Sequence, residues 1–380
     1  MSLRIGIVGL GGAGRAHAHR FRRNPAIGEI VGYDVRDVEL PGVERVQSRA
    51  ELLSRVDAVS ICTPDHAHFD DIVAALEAGK HVLVEKPMVA SHAEAERLKP
   101  YLDAHPSLVF GVHHQMRHAP PFAKARELIE SGVLGRLFYL EANYWHDMSK
   151  RSVQFDSWRM EHGQSLLFGH ACHPLDLLMH LAGGPPTEHS TYLSKNAFRE
   201  YRADYTSATV MLKFPGNVVA KSHINTYCVY PQVNDLVVLG EKGTYIDGIL
   251  YKDGEFVQAA DFFGKGKSHT EVNITDIKLP PQLISLGFST YLRTLNTATL
   301  AFLRTFSKLS KRLMSHPDFG FRRYPMTVYN HDQACQVMID NFVDAVRERA
   351  PILVGYDDAA RVIRLCEETE ADGLRRMDPT

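Results

Sequence analysis

Cysteine is scarce: Cys62, Cys172, Cys228, Cys335 and Cys366 are the five in 380 residues. They fall in no metal-binding spacing and no paired framework, which excludes a disulfide scaffold and suits a reducing cytoplasm. Excess charge is lacking too. Forty-three basic residues against 45 acidic leave a formal charge of −2, so neither a nucleic-acid partner nor an acidic tail is expected. No apolar run is long enough to span a bilayer, and the N-terminus enters a strand-like segment directly, without a signal peptide. Repeats and low-complexity segments are absent. What remains is ordinary globular composition, 44% apolar and 23% charged, in a chain long enough for two cores.

The strongest local pattern opens the chain. Leu3 to Val8 reads as a buried strand, and Gly9-Leu10-Gly11-Gly12-Ala13-Gly14 follows it, with a helical stretch from Arg15 to Arg23. This is G-x-G-x-x-G between strand and helix. Gly9 permits a tight turn, Gly11 lets backbone approach a pyrophosphate, and Gly14 lets helix and strand pack closely. The helix N-terminus adds N–H groups and a positive dipole end. A second strand, Glu29 to Tyr33, ends in Asp34, at the distance expected of a residue that binds a ribose 2′-hydroxyl. Asp34 favours NAD, since a carboxylate repels the 2′-phosphate of NADP. Arg36, two residues on, offers that phosphate a partner and keeps NADP possible.

A second pattern is His81-Val82-Leu83-Val84-Glu85-Lys86-Pro87, an apolar strand that stops in a carboxylate, an amine and a proline. Ligands of open α/β sheets bind beyond the carboxyl ends of the strands, so these side chains should face a crevice. Pro87 pushes Lys86 toward an extended conformation and permits a cis bond. Lys86 is thus a candidate proton shuttle; the bland alternative is a solvated Glu-Lys pair. Asp57 to Ile61 reads as another strand, after a weak one around Val43 to Val46, and runs into Cys62-Thr63-Pro64 at the same crevice. His66 and His68 read as polar residues opening the helix Phe69 to Ala78. Ser91 can cap a helix to Leu102, and Leu108 to Val112 closes the unit.

Beyond Arg117 the period changes. After a helix from Phe122 to Ile129, apolar residues alternate at Phe138, Leu140, Ala142 and Tyr144, then at Ala208, Val210, Leu212 and Phe214. Val218 to Ile224 and Leu236 to Leu239 repeat the strand signal. Strands without intervening helices predict an antiparallel sheet. The expected fold is therefore a doubly wound parallel sheet over 1–118 followed by an α+β domain over 119–380, with a large, mainly antiparallel sheet. Within the latter, Leu166 to Leu181 reads as one long helix, kinked or divided at Pro174. His170, His173 and Asp176 recur every third residue and can share its side. His173 is a candidate acid/base or hydroxyl-orienting group, or else a core histidine bonded to a carbonyl. No clean metal-ligand pattern accompanies it. Helices return over 331–369, with Ile339, Phe342, Val343 and Val346 on one face and Asp357 or Asp358 as a cap. Residues 277–317 lack Asp and Glu but carry six Lys or Arg among leucines and phenylalanines. This basic amphipathic insertion is expected to pack on its own sheet or a sister subunit, the alternative being an anionic membrane surface.

Taken together, Gly9 to Gly14, Cys62-Thr63-Pro64, Glu85-Lys86-Pro87, Trp158-Arg159 and the Gly240-Glu241-Lys242-Gly243-Thr244 turn resemble the Gfo/Idh/MocA family of oxidoreductases. The resemblance implies a lysine, Lys86, near the nicotinamide, and homo-oligomers formed through sheet faces. It implies cofactor contacts from Gly9, Gly11, Gly12, Ala13, Gly14, Asp34, Arg36, Cys62, Thr63, Pro64, His68, Glu85, Lys86 and Gln115. Substrate contacts are expected from Lys86, Arg117, Tyr144, Trp158, Arg159, His173 and Asp176, with Lys86, His173 and His170 catalytic and no metal. Family dehydrogenases commonly carry Asp-x-x-x-His-x-x-Asp on the active-site helix. Here His173 and Asp176 match, and the first aspartate's position is Gly169. The implied activity is NAD-dependent hydride transfer at a hydroxyl carbon of a sugar, cyclitol or sugar derivative. Redox-cycling glycoside cleavage and a non-catalytic sugar sensor are the alternatives.

Overall fold

Strands and helices mostly alternate through the first 112 residues, and the strands bury apolar runs expected from the sequence, whereas the weak strand expected around Val43 to Val46 is only the two-residue Glu44–Arg45. The computed structural model describes residues 2–146, 167–195, 205–226, 233–258 and 331–377. Trp158, Arg159 and the 277–317 insertion lie outside the described residues. Strands β1 (Leu3–Val8), β2 (Ile27–Tyr33), β3 (Glu44–Arg45), β4 (Ala58–Ile61), β5 (His81–Val84) and β6 (Phe110–Val112) form one parallel sheet in the order β3-β2-β1-β4-β5-β6. Helices α1 (Gly12–Phe21), α2 (Arg49–Arg55), α3 (Asp65–Glu77) and α4 (His92–Ala104) are the crossovers. The order reverses between β1 and β4, which places the crevice at the carboxyl ends of those two strands. Ser48 and Ser91 cap α2 and α4, their hydroxyls accepting from the Glu51 and Glu94 N–H groups.

A short 3-10 turn (Gln115–His118) and α5 (Pro120–Glu130) lead into the second sheet. Its strands are β7 (Leu137–Trp145), β8 (Glu188–Ser194), β9 (Ser207–Phe214), β10 (Val218–Asn225), β11 (Val233–Gly240), β12 (Gly243–Ile246), β13 (Ile249–Lys252) and β14 (Glu255–Gln258). They stand in the order β14-β13-β12-β11-β7-β10-β9-β8. All neighbours are antiparallel except β7 and β10, which run parallel. The alternation works as expected: Leu140, Ala142, Tyr144, Val210, Leu212, Ala220 and Ile224 are buried. Glu141, Asn143, Lys221 and Asp235 occupy the intervening positions and pair with one another.

Three helices complete the described chain: α6 (Cys172–Ala182), α7 (His331–Val346) and α8 (Tyr356–Arg376). Ile339, Phe342 and Val343 of α7 pack with Ile5, Ile7, Leu10 and Phe21. The C-terminal helices thus return to the first sheet, and full burial of each such side chain stabilises by roughly 1.5–3 kcal/mol. Helix α8 begins one residue before the expected caps: Gly355 is its N-cap, and Asp357 and Asp358 fall in its first turn, where they face the positive end of the dipole. None of the described helices is long and apolar enough to cross a membrane.

Candidate active site

The glycine loop divides its glycines by purpose. Gly9 has φ +89°, and a Cβ there would lie 2.8 Å from the Cys62 carbonyl. A Cβ on Gly14 would lie 1.9 Å from the Gly9 oxygen. Both are demanded by the fold itself. Gly12 has no protein atom within 4 Å of an added Cβ, and Gly11 has only the Arg36 guanidinium at 3.8 Å. Packing does not require glycine at these two positions, whereas a pyrophosphate drawn against the backbone does. No side chain caps α1, so its first N–H groups, including that of Ala13, remain for an anion. The loop therefore fits a dinucleotide.

Asp34 ends β2 beside this loop. Its carboxylate accepts from the Leu10 N–H at 2.8 Å and the Arg36 N–H at 2.9 Å. The Arg36 Nε also donates to it at 3.2 Å. Burial opposes ionisation of Asp34, but the Arg36 side chain and the two backbone bonds outweigh it and lower the pKa. Arg36 is mostly exposed, so the carboxylate is fixed and its partner can move.

Two turns from the neighbouring strands form the crevice floor. After β4, the Thr63 hydroxyl donates to Asp71 at 2.8 Å, and Pro64 opens α3. After β5, the Lys86–Pro87 bond is cis. His68 joins the turns, its Nε2 lying 2.9 Å from the Thr63 carbonyl and its Nδ1 2.9 Å from the Pro87 carbonyl. The ring is 1% exposed. It is a strap between two cofactor-facing loops rather than a polar residue at a helix start, and neither ring nitrogen is left for a ligand.

Beneath Lys86, Glu85 meets two histidines that the sequence reading passed over. His17 holds Glu85 Oε1 through Nε2 at 2.9 Å and meets the Ser60 hydroxyl through Nδ1 at 2.8 Å. His113 Nδ1 lies 3.4 Å from the same carboxylate oxygen. Burial opposes a charge on His17, but Cys62 and Glu85 outweigh it and raise its pKa to about 10. Burial dominates at His113 and lowers its pKa to about 3. Burial also opposes the Glu85 charge, yet the His113, His17 and Lys86 side chains beside it hold its pKa well down. The pair is thus an imidazolium–carboxylate with a neutral histidine alongside. His17, Glu85 and His113 also lie close enough to hold a metal ion, each offering one ligand atom. Position is the signal in the sequence: His17 follows the glycine loop by one turn of the helix that faces the crevice.

The opposite wall comes from the second sheet and α6. The expected single helix is two: a π-helical segment (Leu167–Ala171) precedes α6. Pro174 has no N–H to offer the His170 carbonyl in an α-register or the Gly169 carbonyl in a π-register. The Gly169 carbonyl instead accepts from Lys86 Nζ at 2.9 Å. His173, 7% exposed, stacks on Tyr144 with ring centroids 5.9 Å apart, and its Nδ1 has no partner. Burial and the Lys86 charge hold His173 neutral, its pKa well below the usual histidine range. His170 lies 5.7 Å from the Tyr144 ring and 6.4 Å from that of His146.

Arg117 and Asp176, both expected to touch substrate, meet each other. They are buried and locked to each other, Nε to Oδ2 at 2.7 Å and Nη2 to Oδ1 at 2.5 Å. Burial opposes the Asp176 charge, but His114 and Arg117 outweigh it and lower its pKa. With both oxygens in use, Asp176 fixes α6 to the turn after β6 instead of reaching into the crevice. Gln115 Nε2 lies 3.3 Å from His331 Nε2, which ties the same turn to α7.

Comparison with known proteins agrees with this geometry. Residues 3–114 match the model of an oxidoreductase family with an NAD-binding Rossmann fold, and residues 122–246 match the GFO/IDH/MocA C-terminal domain. The chain is 30% identical over 249 residues to 1-carboxy-3-chloro-3,4-dihydroxycyclohexa-1,5-diene dehydrogenase of Comamonas testosteroni, covering 63% of this chain and 61% of that one. It is 26% identical to levoglucosan dehydrogenase of Pseudarthrobacter phenanthrenivorans, over 48% of this chain and 52% of that protein. The chain thus spans about half to three-fifths of these relatives' length. The crystal structure of myo-inositol 2-dehydrogenase from Lactobacillus plantarum superposes with a TM-score of 0.73 over 99% of this chain and 98% of that one, at 16% identity, a likeness of fold.

Proposed function

Since the chain belongs to the Gfo/Idh/MocA family of NAD-binding oxidoreductases, we propose that it is a dehydrogenase acting on a hydroxyl carbon of a sugar, cyclitol or related ring. The observation that carries this reading is the 2.9 Å bond from Lys86 Nζ to the Gly169 carbonyl. It holds one amine at the meeting of the cofactor loops and the α6 wall. NAD, when bound along Gly11, Gly12 and Asp34, supplies the hydride acceptor. Lys86 then exchanges the proton of the reacting hydroxyl, and neutral His173 offers Nδ1 to the same oxygen. Tyr144 keeps the imidazole plane in place by stacking. Trp158 and Arg159 belong to the substrate side in this reading, by family resemblance.

Arg117 and Asp176 act one layer back, as the brace that positions α6. We place the protein in the cytoplasm, as a homo-oligomer joined through the Glu141 face of the second sheet. The test of activity is NADH formation on incubation with a panel of sugars and cyclitols. Turnover that needs both cofactor and Lys86 supports the reading. Tight NAD binding with no turnover of any ring alcohol would turn it toward a sensor.

A further inference from the structure

The Lys86 amine is in no ion pair among the described residues, and that says something about the substrate. The carboxylates described beneath the crevice are already engaged. Glu85 gives Oε1 to His17 and Oε2 to the backbone N–H of Lys86 at 3.1 Å. Asp176 gives both oxygens to Arg117, whose Nη1 also lies 3.4 Å from Asp358 Oδ2. Lys86 Nζ has, among the described residues, only the neutral Gly169 carbonyl as its hydrogen-bond partner. An ammonium carries three donors, so two remain. The imidazoles facing the same space add no negative charge. Burial first, and neighbouring charges that include Lys86, lower the pKa of both His173 and His114. Each leaves its Nδ1 without a hydrogen-bond partner. Tyr144 is a neutral ring at this wall. Among the described residues the lining thus presents one cation, open hydrogen-bonding nitrogens and no free carboxylate.

A purely neutral polyol would leave that ammonium with uncharged hydrogen-bond partners only, a costly arrangement. An anion would complete it with a charge-assisted hydrogen bond, about twice as strong as a neutral one.

We infer that the substrate of this site carries a carboxylate on the ring that bears the reacting hydroxyl. The carboxylate takes one donor of Lys86 and the Gly169 carbonyl keeps another; the third position of the amine faces the reacting oxygen, taking its proton on oxidation and returning it on reduction. The inference rests on the dehydrogenase reading for the contact with the reacting oxygen only; capture of the carboxylate stands apart from turnover.

Matched pairs of probes test it: glucuronate against glucose, galacturonate against galactose, and quinate against myo-inositol. Each is titrated calorimetrically into the full chain saturated with NADH. At least one carboxylate is expected to bind about tenfold or more tighter than its neutral partner, equivalent to about 1.4 kcal/mol. The preference should shrink with added salt and vanish in Lys86→Met, whose unchanged NADH affinity certifies its fold. Equal affinities within every pair, no carboxylate binding at all, or a preference that survives Lys86→Met overturns the inference. Failure of the dehydrogenase reading shows separately: the carboxylate binds with the expected preference, yet no probe reduces NAD.

Discussion

The two walls of the crevice are built differently. The cofactor wall is backbone: two glycines with open space above them, an uncapped helix end, and one fixed carboxylate at the end of a strand. The substrate wall is side chain: an amine, a stacked histidine and a buried ion pair that holds the helix beneath them. A backbone wall recognises what every dinucleotide shares and tolerates sequence change around it. A side-chain wall carries the reaction and the selectivity, so single substitutions there should change chemistry while leaving cofactor binding alone.

The sharpest test of that division is Lys86→Met. Loss of a positioned acid/base group typically costs about a hundredfold to ten-thousandfold in turnover. NAD affinity should stay within about twofold, because the amine bonds the Gly169 carbonyl rather than a phosphate. Steady-state rates and a cofactor titration on one preparation compare the two walls directly. Parallel losses in both would mean that Lys86 belongs to the cofactor wall as well.

The ion pairs offer the next contrast, now in stability. Asp176→Asn leaves Arg117 buried opposite an amide, and breaking a buried pair costs about 3–5 kcal/mol. Denaturant melts should show that loss at neutral pH. Because the folded pKa of Asp176 is depressed, its contribution is present above the unfolded value of about 3.9 and is lost as pH falls through the folded value. Glu85, also held down, adds to the same acid limb. His17 acts on the other side. Its folded pKa of about 10 stands above the unfolded value of about 6.5. Its stabilisation is full below about 6.5 and fades as pH rises through about 10. His17→Gln should flatten the alkaline limb of the stability profile, and Asp176→Asn the acid limb. A variant that moved the opposite limb would contradict the assignments.

The same contrast explains what could be read in advance. Cofactor-wall residues follow one another within a few positions, so G-x-G-x-x-G and the Asp34 spacing locate them without any tertiary knowledge. The alternating burial of β7, β9 and β10 is equally local, since a period of two reports which side faces a core, whereas the order of the strands is not. The substrate wall depends on long-range meetings. Arg117 finds Asp176 across 59 positions, and His17 finds Glu85 across 68. Nothing near Asp176 marks it as a structural partner rather than a substrate contact. Pro174 was legible as a break in the helix. Its consequence, a carbonyl offered to Lys86, needed the other domain to be in place.

A milder break of the cofactor wall is Gly12→Ala. No protein atom stands within 4 Å of the new methyl, so stability should change by less than about 1 kcal/mol. The methyl would stand where the pyrophosphate approaches, and NAD should bind about tenfold more weakly. Turnover at saturating NAD should be nearly unaltered, the mirror image of Lys86→Met. Thermal melts with and without NAD separate the two effects.

The smallest expected effect concerns which dinucleotide the backbone wall accepts. Asp34 is held by the Leu10 and Arg36 N–H groups, so its carboxylate cannot turn away from a 2′-phosphate. Arg36 is different: its side chain is largely exposed and is tethered mainly by Asp34 itself. Asp34→Ala therefore removes a fixed negative charge and releases a mobile positive one in a single step. NAD should lose the hydrogen bonds to its ribose, worth about 1 kcal/mol or a little more, which is about fivefold in affinity. NADP should gain at the same time, since the freed guanidinium can meet its phosphate. The double variant Asp34→Ala, Arg36→Ala separates the contributions: it should keep the weakened NAD affinity and forfeit the NADP gain. Titrating both cofactors into the three proteins gives the ratio. An NAD/NADP ratio that does not move on removing Asp34 would show that the ribose is gripped elsewhere, and that this part of the wall is not set by β2.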